Sequence, residues 1–145
     1  MIKGVTIRPC QPNECALVLE IWRDAGSMTS ITDNIEVLRR LLQLTNTALL
    51  VAEHQHKLVG TVIAGWDGWR GNLYRLAVLP SHRKRGIGRL LVTEGGNFLI
   101  AKGAQRIGGL VAREEPLAVS FWDALSDDGY KRDSTFVRYA KSIEQ

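Results

Sequence analysis

The sequence predicts an α+β fold built on a mixed β-sheet, and three observations carry that expectation. Residues 47–53, 58–65 and 73–79 are apolar, strand-like runs joined by short turns, which predicts three strands in antiparallel succession. Residues 86–102 place Ile87, Leu90, Leu91, Phe98 and Ala101 at helical spacing, which predicts one amphipathic helix. A further strand-like run, 106–111, follows that helix, and a helical crossover sets it parallel to the strand before it. With the flanking segments the order reads β-α-α-β-β-β-α-β-α-β, with helices on both faces of the sheet.

Taken from the start, Val5 and Ile7, flanked by Ile2, predict a first strand that ends at Pro9. Pro12 suits a helix start and Glu14 adds negative charge to its first turn. Leu17, Ile21 and Ala25 fall on one face of that helix, Trp22 reads as core, and Gly26 is placed to end it. Residues 27–32 read as loop. Asp33 and Glu36 have capping-box spacing and open a second helix through Ile35, Leu38, Leu41 and Leu42. His54-Gln55-His56-Lys57 and Trp66-Asp67-Gly68-Trp69-Arg70-Gly71 are the turns between the three central strands, the second marked by Asp-Gly. Lys102-Gly103 stops the long helix, residues 117–125 predict a short helix, and residues 135–141 a last strand.

Bulk composition narrows the function classes. At 145 residues, 45% hydrophobic and 23% charged, the chain is expected to be one globular domain, residues 1–145. No apolar run approaches the ~20 residues that span a bilayer, and the N-terminal residues lack a secretory signal's apolar region, so a cytoplasmic protein without a membrane partner is expected. Cys10 and Cys15 are too few for a disulfide framework and read as ordinary thiols. His54 and His56 have no third ligand nearby in sequence, so no metal site is expected. The net charge of +4 suits a nucleic acid or a phosphate-rich cofactor equally. That charge concentrates in Arg83, Lys84, Arg85 and Arg89, with no aromatic residue interleaved as a single-strand stacking surface requires, so no nucleic-acid partner is expected.

The basic run carries the chemistry. It sits between an apolar strand stopped by Pro80 and the start of the long helix, in the order Arg83-Lys84-Arg85-Gly86-Ile87-Gly88. Unpaired N–H groups at a helix start and the positive end of its dipole attract an anion. Gly86 and Gly88 leave the backbone open to a phosphate, and the neighbouring Arg and Lys supply charge. A dinucleotide fingerprint requires glycine where this chain has Leu91, and the Gly-Lys-Ser/Thr of a P-loop is missing. What remains, Arg83-x-x-Gly86-x-Gly88 after Leu-Ala-Val, resembles the acetyl-CoA motif of the GNAT N-acetyltransferase family. The element order is similar to that family's over nearly the whole chain. The run from Gly60 to Gly71 resembles the equivalent hairpin of a bacterial subgroup that includes the YpeA-type proteins. Phe121-Trp122-Asp123-Ala124-Leu125 with Gly129-Tyr130 is similar to the family's Phe-Tyr-x-x-Leu-Gly-Phe segment, with Ser126, Asp127 and Asp128 inserted.

The resemblance implies an acyl-CoA-dependent N-acetyltransferase that moves acetyl from acetyl-CoA to a primary amine of a small molecule or a protein N-terminus. It implies that Arg83, Lys84, Arg85, Gly86, Ile87, Gly88 and Arg89 hold the pyrophosphate and that Leu76, Ala77 and Val78 lie along the pantetheine arm. An N–H near Val78 would polarise the thioester carbonyl. Trp122 stands where the family commonly has a tyrosine general acid, and an indole N–H is no proton source near neutral pH. Glu115 stands where relatives often have a cofactor-binding Asn. The central strand carries Tyr74 and Arg75 where many relatives carry a catalytic Glu, so no catalytic residue is assigned. Trp66, Asp67 and Trp69 are candidates for a cationic acceptor pocket, since aromatic faces attract ammonium groups, although Asp-Gly is also ordinary turn chemistry. Dimers are frequent in the family, which leaves a homodimer open. A competing expectation is a CoA-binding domain without turnover, motivated by Trp122 and the missing strand carboxylate.

Overall fold

Apolar residues of the central strands sort onto two faces by simple alternation, and each face recruits its own helices. The computed structural model describes residues 3–143; Ile2, expected beside the first strand, lies outside them. The chain divides into two compact units, one ending at Leu110 and the next beginning at Val111.

The first unit holds a five-stranded sheet in the order β1 (Val5–Pro9), β2 (Thr47–His54), β3 (Lys57–Trp66), β4 (Gly71–Val78), β5 (Ile107–Gly109). The first four strands run antiparallel to their neighbours and β5 is parallel to β4, as expected from the helical crossover. On one face Leu49, Val51, Ile63 and Ala77 pack with Val18, Ile21 and Trp22 of α1 (Cys15–Asp24) and Leu38 of α2 (Ile35–Leu42). On the other, α3 (Ile87–Lys102) lies so close that a Cβ on its Gly95 would come within 2.9 Å of Leu73 and 3.5 Å of Val62. Gly71 of β4 in turn admits the side chain of Leu99. Helices therefore cover both faces.

Local signals worked mainly at element ends. Pro12 opens a 3-10 turn, Pro12–Glu14, which leads into α1. Gly26, at φ +80°, follows α1, and the Ser27 N–H returns to the Trp22 carbonyl at 3.0 Å. The buried stripe of α1 is Cys15, Val18, Ile21 and Trp22, so Leu17, expected on the inner face, is instead exposed. α2 is capped by Asn34, whose Oδ1 accepts the Val37 N–H at 2.9 Å, and not by Asp33, whose carboxylate is engaged elsewhere. Gln55 and His56, at φ +52° and +65°, make the tight turn between β2 and β3. Both cysteines are buried free thiols, and burial pushes Cys10 up to about 12.

The second unit contains α4 (Pro116–Asp123), begun by a proline, and a 3-10 turn, Ser126–Asp128, closed by Gly129 at φ +94°. Trp122 meets the Tyr130 ring edge-to-face at 5.3 Å, and Asp123 pairs with Arg132 at 2.6 Å. The expected last strand over 135–141 does not form. Alternation there is not matched by a ladder partner, because every ladder among the described residues lies within β1–β5. Phe136, Val137 and Tyr139 are exposed, the last at 94%.

The contact between α3 and the sheet gives a direct test of this packing. Gly95→Val should destabilise the protein by about 1–3 kcal/mol through overpacking against Leu73, seen as a lower urea midpoint. An unchanged midpoint would contradict it.

Candidate functional site

β4 makes the site because it is paired on one side for its whole length and on the other for less than half. Its ladder to β5 covers Gly71, Asn72 and Leu73 and ends there. On the β3 side the pairing continues to Val78 but changes register. Ile63 faces Tyr74 while Thr61 faces Ala77, so Val62 alone is opposed by both Arg75 and Leu76. This is a β-bulge, and Arg75 adopts a left-handed φ of +53° within it. Beyond the bulge the Leu79 N–H bonds the Val59 carbonyl of β3 at 2.9 Å. Main-chain groups alternate sides along a strand, so Ala77 also turns toward β3 while Leu76 and Val78 turn toward the open edge. An extended polar chain can add to that edge as a strand would.

The open edge runs straight into the basic loop. After Pro80–His82 the chain passes through Lys84 at φ +61° and Gly86 at φ +90°, and α3 begins at Ile87. A side chain at residue 86 would strain this backbone. Ile87 is buried and anchors the helix start, while Lys84, Arg85, Gly86 and Arg89 are exposed. A shallow hollow of ≈ 350 Å³ is lined by Lys84, Arg85, Gly86, Arg89, Leu90 and Thr93. With the positive end of a 16-residue helix beneath it, this hollow suits a polyanion. A larger hollow, ≈ 410 Å³, lies around Lys3, Gly4 and residues 53–56 and shares no residue with the loop.

Not every expected residue is deployed as the sequence implied. Ala77 contributes its side chain to the core and only its backbone to β4. Arg83 folds back, its Nε donating to the Val78 carbonyl at 3.1 Å and its Nη2 to the Ala25 carbonyl at 2.8 Å. It is thus a tether between the end of β4 and the end of α1. Trp122 belongs to the second unit, half-buried against Tyr130. Trp66, Asp67 and Trp69 are not brought to the loop. Trp66 ends β3 and Asp67 and Trp69 lie in the turn before β4, whereas the loop follows the end of β4, about 26 Å further along at ~3.3 Å per residue. Asp67 closes its own turn, its Oδ1 accepting the Arg70 and Trp69 N–H groups at 2.7 and 2.8 Å. Those two donors, Arg70 foremost, hold its carboxyl below the usual carboxylate range, which suits a turn-former better than a base. Trp69 is 73% exposed beneath the Arg70 guanidinium.

One group of site residues was not recognised from sequence. Arg75 Nη2 donates to both carboxylate oxygens of Asp33 at 2.7 and 2.8 Å, and Nη1 to the Met28 carbonyl at 2.7 Å. Its guanidinium lies 4.8 Å from the Trp22 ring. The Trp22 Nε1–H donates to the buried Thr61 hydroxyl at 2.8 Å, which donates to the Arg75 carbonyl at 2.8 Å. An arginine in the middle of an apolar run was the one available signal.

Comparison with known proteins agrees with this geometry. The model of the acetyltransferase (GNAT) family matches residues 16–125, and the chain belongs to that family. An acetyltransferase of Sodalis glossinidius is 29% identical over 138 residues, covering 95% of this chain and 96% of its own. One from Pectobacterium atrosepticum is 29% identical over 119 residues, 82% of this chain and 84% of its own. In fold, the chain is similar to the aminoglycoside N-acetyltransferase AAC(6')-Iy in complex with CoA, with a TM-score of 0.78 at 17% identity over 99% of this chain and 100% of that one. It is also similar to the PaiA N-acetyltransferase of Thermoplasma acidophilum in complex with coenzyme A, with a TM-score of 0.77 at 18% identity over 91% and 92%. The protein is an N-acetyltransferase that uses acetyl-CoA as cosubstrate.

The open edge and basic loop fit that cosubstrate, one offering main-chain partners to an amide-bearing arm and the other charge to a pyrophosphate. Gly86→Glu, which strains the loop and reverses its charge locally, should abolish CoA binding in calorimetric titration. Arg85→Ala should weaken it about tenfold or more, with the loss shrinking as salt is raised. CoA affinity equal to wild type in both variants would contradict this placement.

Proposed function

We propose that the protein acetylates the primary amine of a small molecule by direct attack on acetyl-CoA, both units acting as one catalytic domain. The observation that carries this reading is the β4 edge left open beyond Leu73 and continuous with the loop at residues 83–88. When bound, acetyl-CoA supplies a thioester activated toward amines. Lys84, Arg85, Arg89 and the first N–H groups of α3 hold its pyrophosphate, and the main chain of Leu76 and Val78 orients its arm. The N–H at the bulge donates to the thioester oxygen, where negative charge develops as the amine attacks. An alkylamine, with a pKa of about 10.4, must first lose a proton to water or a nearby base. The new C–N bond replaces the C–S bond, and the thiolate leaves to be protonated. A thiol pKa of about 8.5 makes that departure feasible without a dedicated acid, which accommodates Trp122 at the family's tyrosine position.

A small-molecule acceptor is favoured because several solved structures of similar fold are named as aminoglycoside acetyltransferases. A second reading, CoA binding without turnover, rests on Trp122. Release of CoA thiol separates the two, measured with aminoglycosides, polyamines, amino acids and peptide N-termini as acceptors. The expected outcome is release with a small-molecule amine that disappears in Gly86→Glu. Thermal stabilisation by CoA with no release from any acceptor would favour the second reading, and absence of stabilisation would overturn the cofactor site.

A further inference from the structure

The β4 bulge is held from both of its sides by one set of side chains. Arg75 is not glycine, yet it takes the left-handed conformation that turns the strand and sends Leu76 toward the open edge. Backbone strain of this kind persists only where the surroundings over-determine it. Here the Arg75 carbonyl is fixed by the Thr61 hydroxyl, itself fixed by the Trp22 indole, and the Arg75 guanidinium returns to lie against that same indole. The outer end of the side chain is forked onto Asp33 and the Met28 carbonyl, both in the segment between α1 and α2. Asp33 is also committed, its Oδ2 accepting the Ser30 N–H at 3.1 Å. The clamp therefore joins a helix, two strands and a connecting segment through one residue in an unfavourable conformation.

We propose that Arg75 is a positioning residue, and that its forked pairing with Asp33 and Met28 sets the bulge so that the main-chain N–H beside it donates to the thioester oxygen. The inference rests on the reading that acetyl-CoA lies along the open edge of β4. Arg75 acts through the backbone and does not itself touch the reacting atoms. A side chain that only stabilised the fold would change the melting behaviour of the protein and leave the bound thioester unaltered. A side chain that sets the bulge changes the polarisation of the thioester carbonyl while CoA still binds at the loop.

The test uses the full chain and needs no acceptor. Isotope-edited infrared spectra of bound [1-13C]acetyl-CoA report the carbonyl stretch, and calorimetry reports affinity for CoA. The wild-type protein should lower the carbonyl frequency relative to free acetyl-CoA. Arg75→Met, which keeps an unbranched stem and removes the fork, should lose most of that lowering while its CoA dissociation constant changes less than threefold. Arg75→Lys, with charge but no fork, should recover part of the lowering. Asp33→Asn removes charge on the partner side without touching β4, and should shift the band in the same direction as Arg75→Met. It keeps the test decisive if Arg75→Met fails to fold. A band unchanged from wild type in Asp33→Asn and in any folded Arg75 variant, whatever happens to the urea midpoint, would overturn the proposal. No CoA binding by the wild-type protein would instead remove the cofactor reading, and this inference with it.

Discussion

Main-chain hydrogen bonding between β4 and β5 ends at the Leu73–Gly109 pair, and the usable surface of the protein begins there. An exposed strand edge is ordinarily a hazard, because it pairs with whatever chain approaches. In this fold the remainder of β4 is kept rigid from its other side by β3, and both faces are covered by helices. The edge is thus preorganised and only partly satisfied, with Arg83 taking the Val78 carbonyl. A ligand that brings its own amides along an extended arm meets a template already in place, and little ordering of the protein is needed on binding.

The bulge at Arg75 shows how such a template is kept in an unfavourable shape. A left-handed non-glycine residue costs about 1–2 kcal/mol. Against this stand hydrogen bonds from a guanidinium to a carboxylate, of a type worth about 1.5–3 kcal/mol where partly shielded from water. Arg75 and Asp33 expose only 19% and 17% of their side chains, so solvent screens the pair less than an open surface ion pair. The balance favours the bulge as long as both partners are present. Charge on the loop is organised differently. Arg83 is drawn back as a tether, and the exposed positive charge falls to Lys84, Arg85 and Arg89 around the helix start.

Much of this was legible in the residues. Periodicity located every strand of the sheet and the long helix, and the glycine spacing at residues 86 and 88 located the loop. Both signals are local, so they survive without knowledge of tertiary partners. What the sequence hid depended on partners far along the chain. Asp33 reads as a helix cap until Arg75, 42 residues later, claims its carboxylate. Leu17 reads as buried until Val18 and Trp22 set the stripe of α1. Residues 135–141 alternate like a strand but lack a ladder to join. The tryptophans at positions 66 and 69 looked like a site because aromatic and acidic residues were adjacent. Strand length places them at the end of β4 opposite to the basic loop. Arg83 carried the family motif, and only the fold shows it bound to Val78 and Ala25.

The most direct test of CoA placement along β4 and the loop is a map of backbone amide shifts during titration with CoA. The largest changes are expected on Leu76 and Val78 of β4 and on residues 84–89, with the turn at Trp66–Arg70 almost unmoved. Changes centred on that turn, or on the hollow beside His54, with β4 and the loop silent, would contradict it.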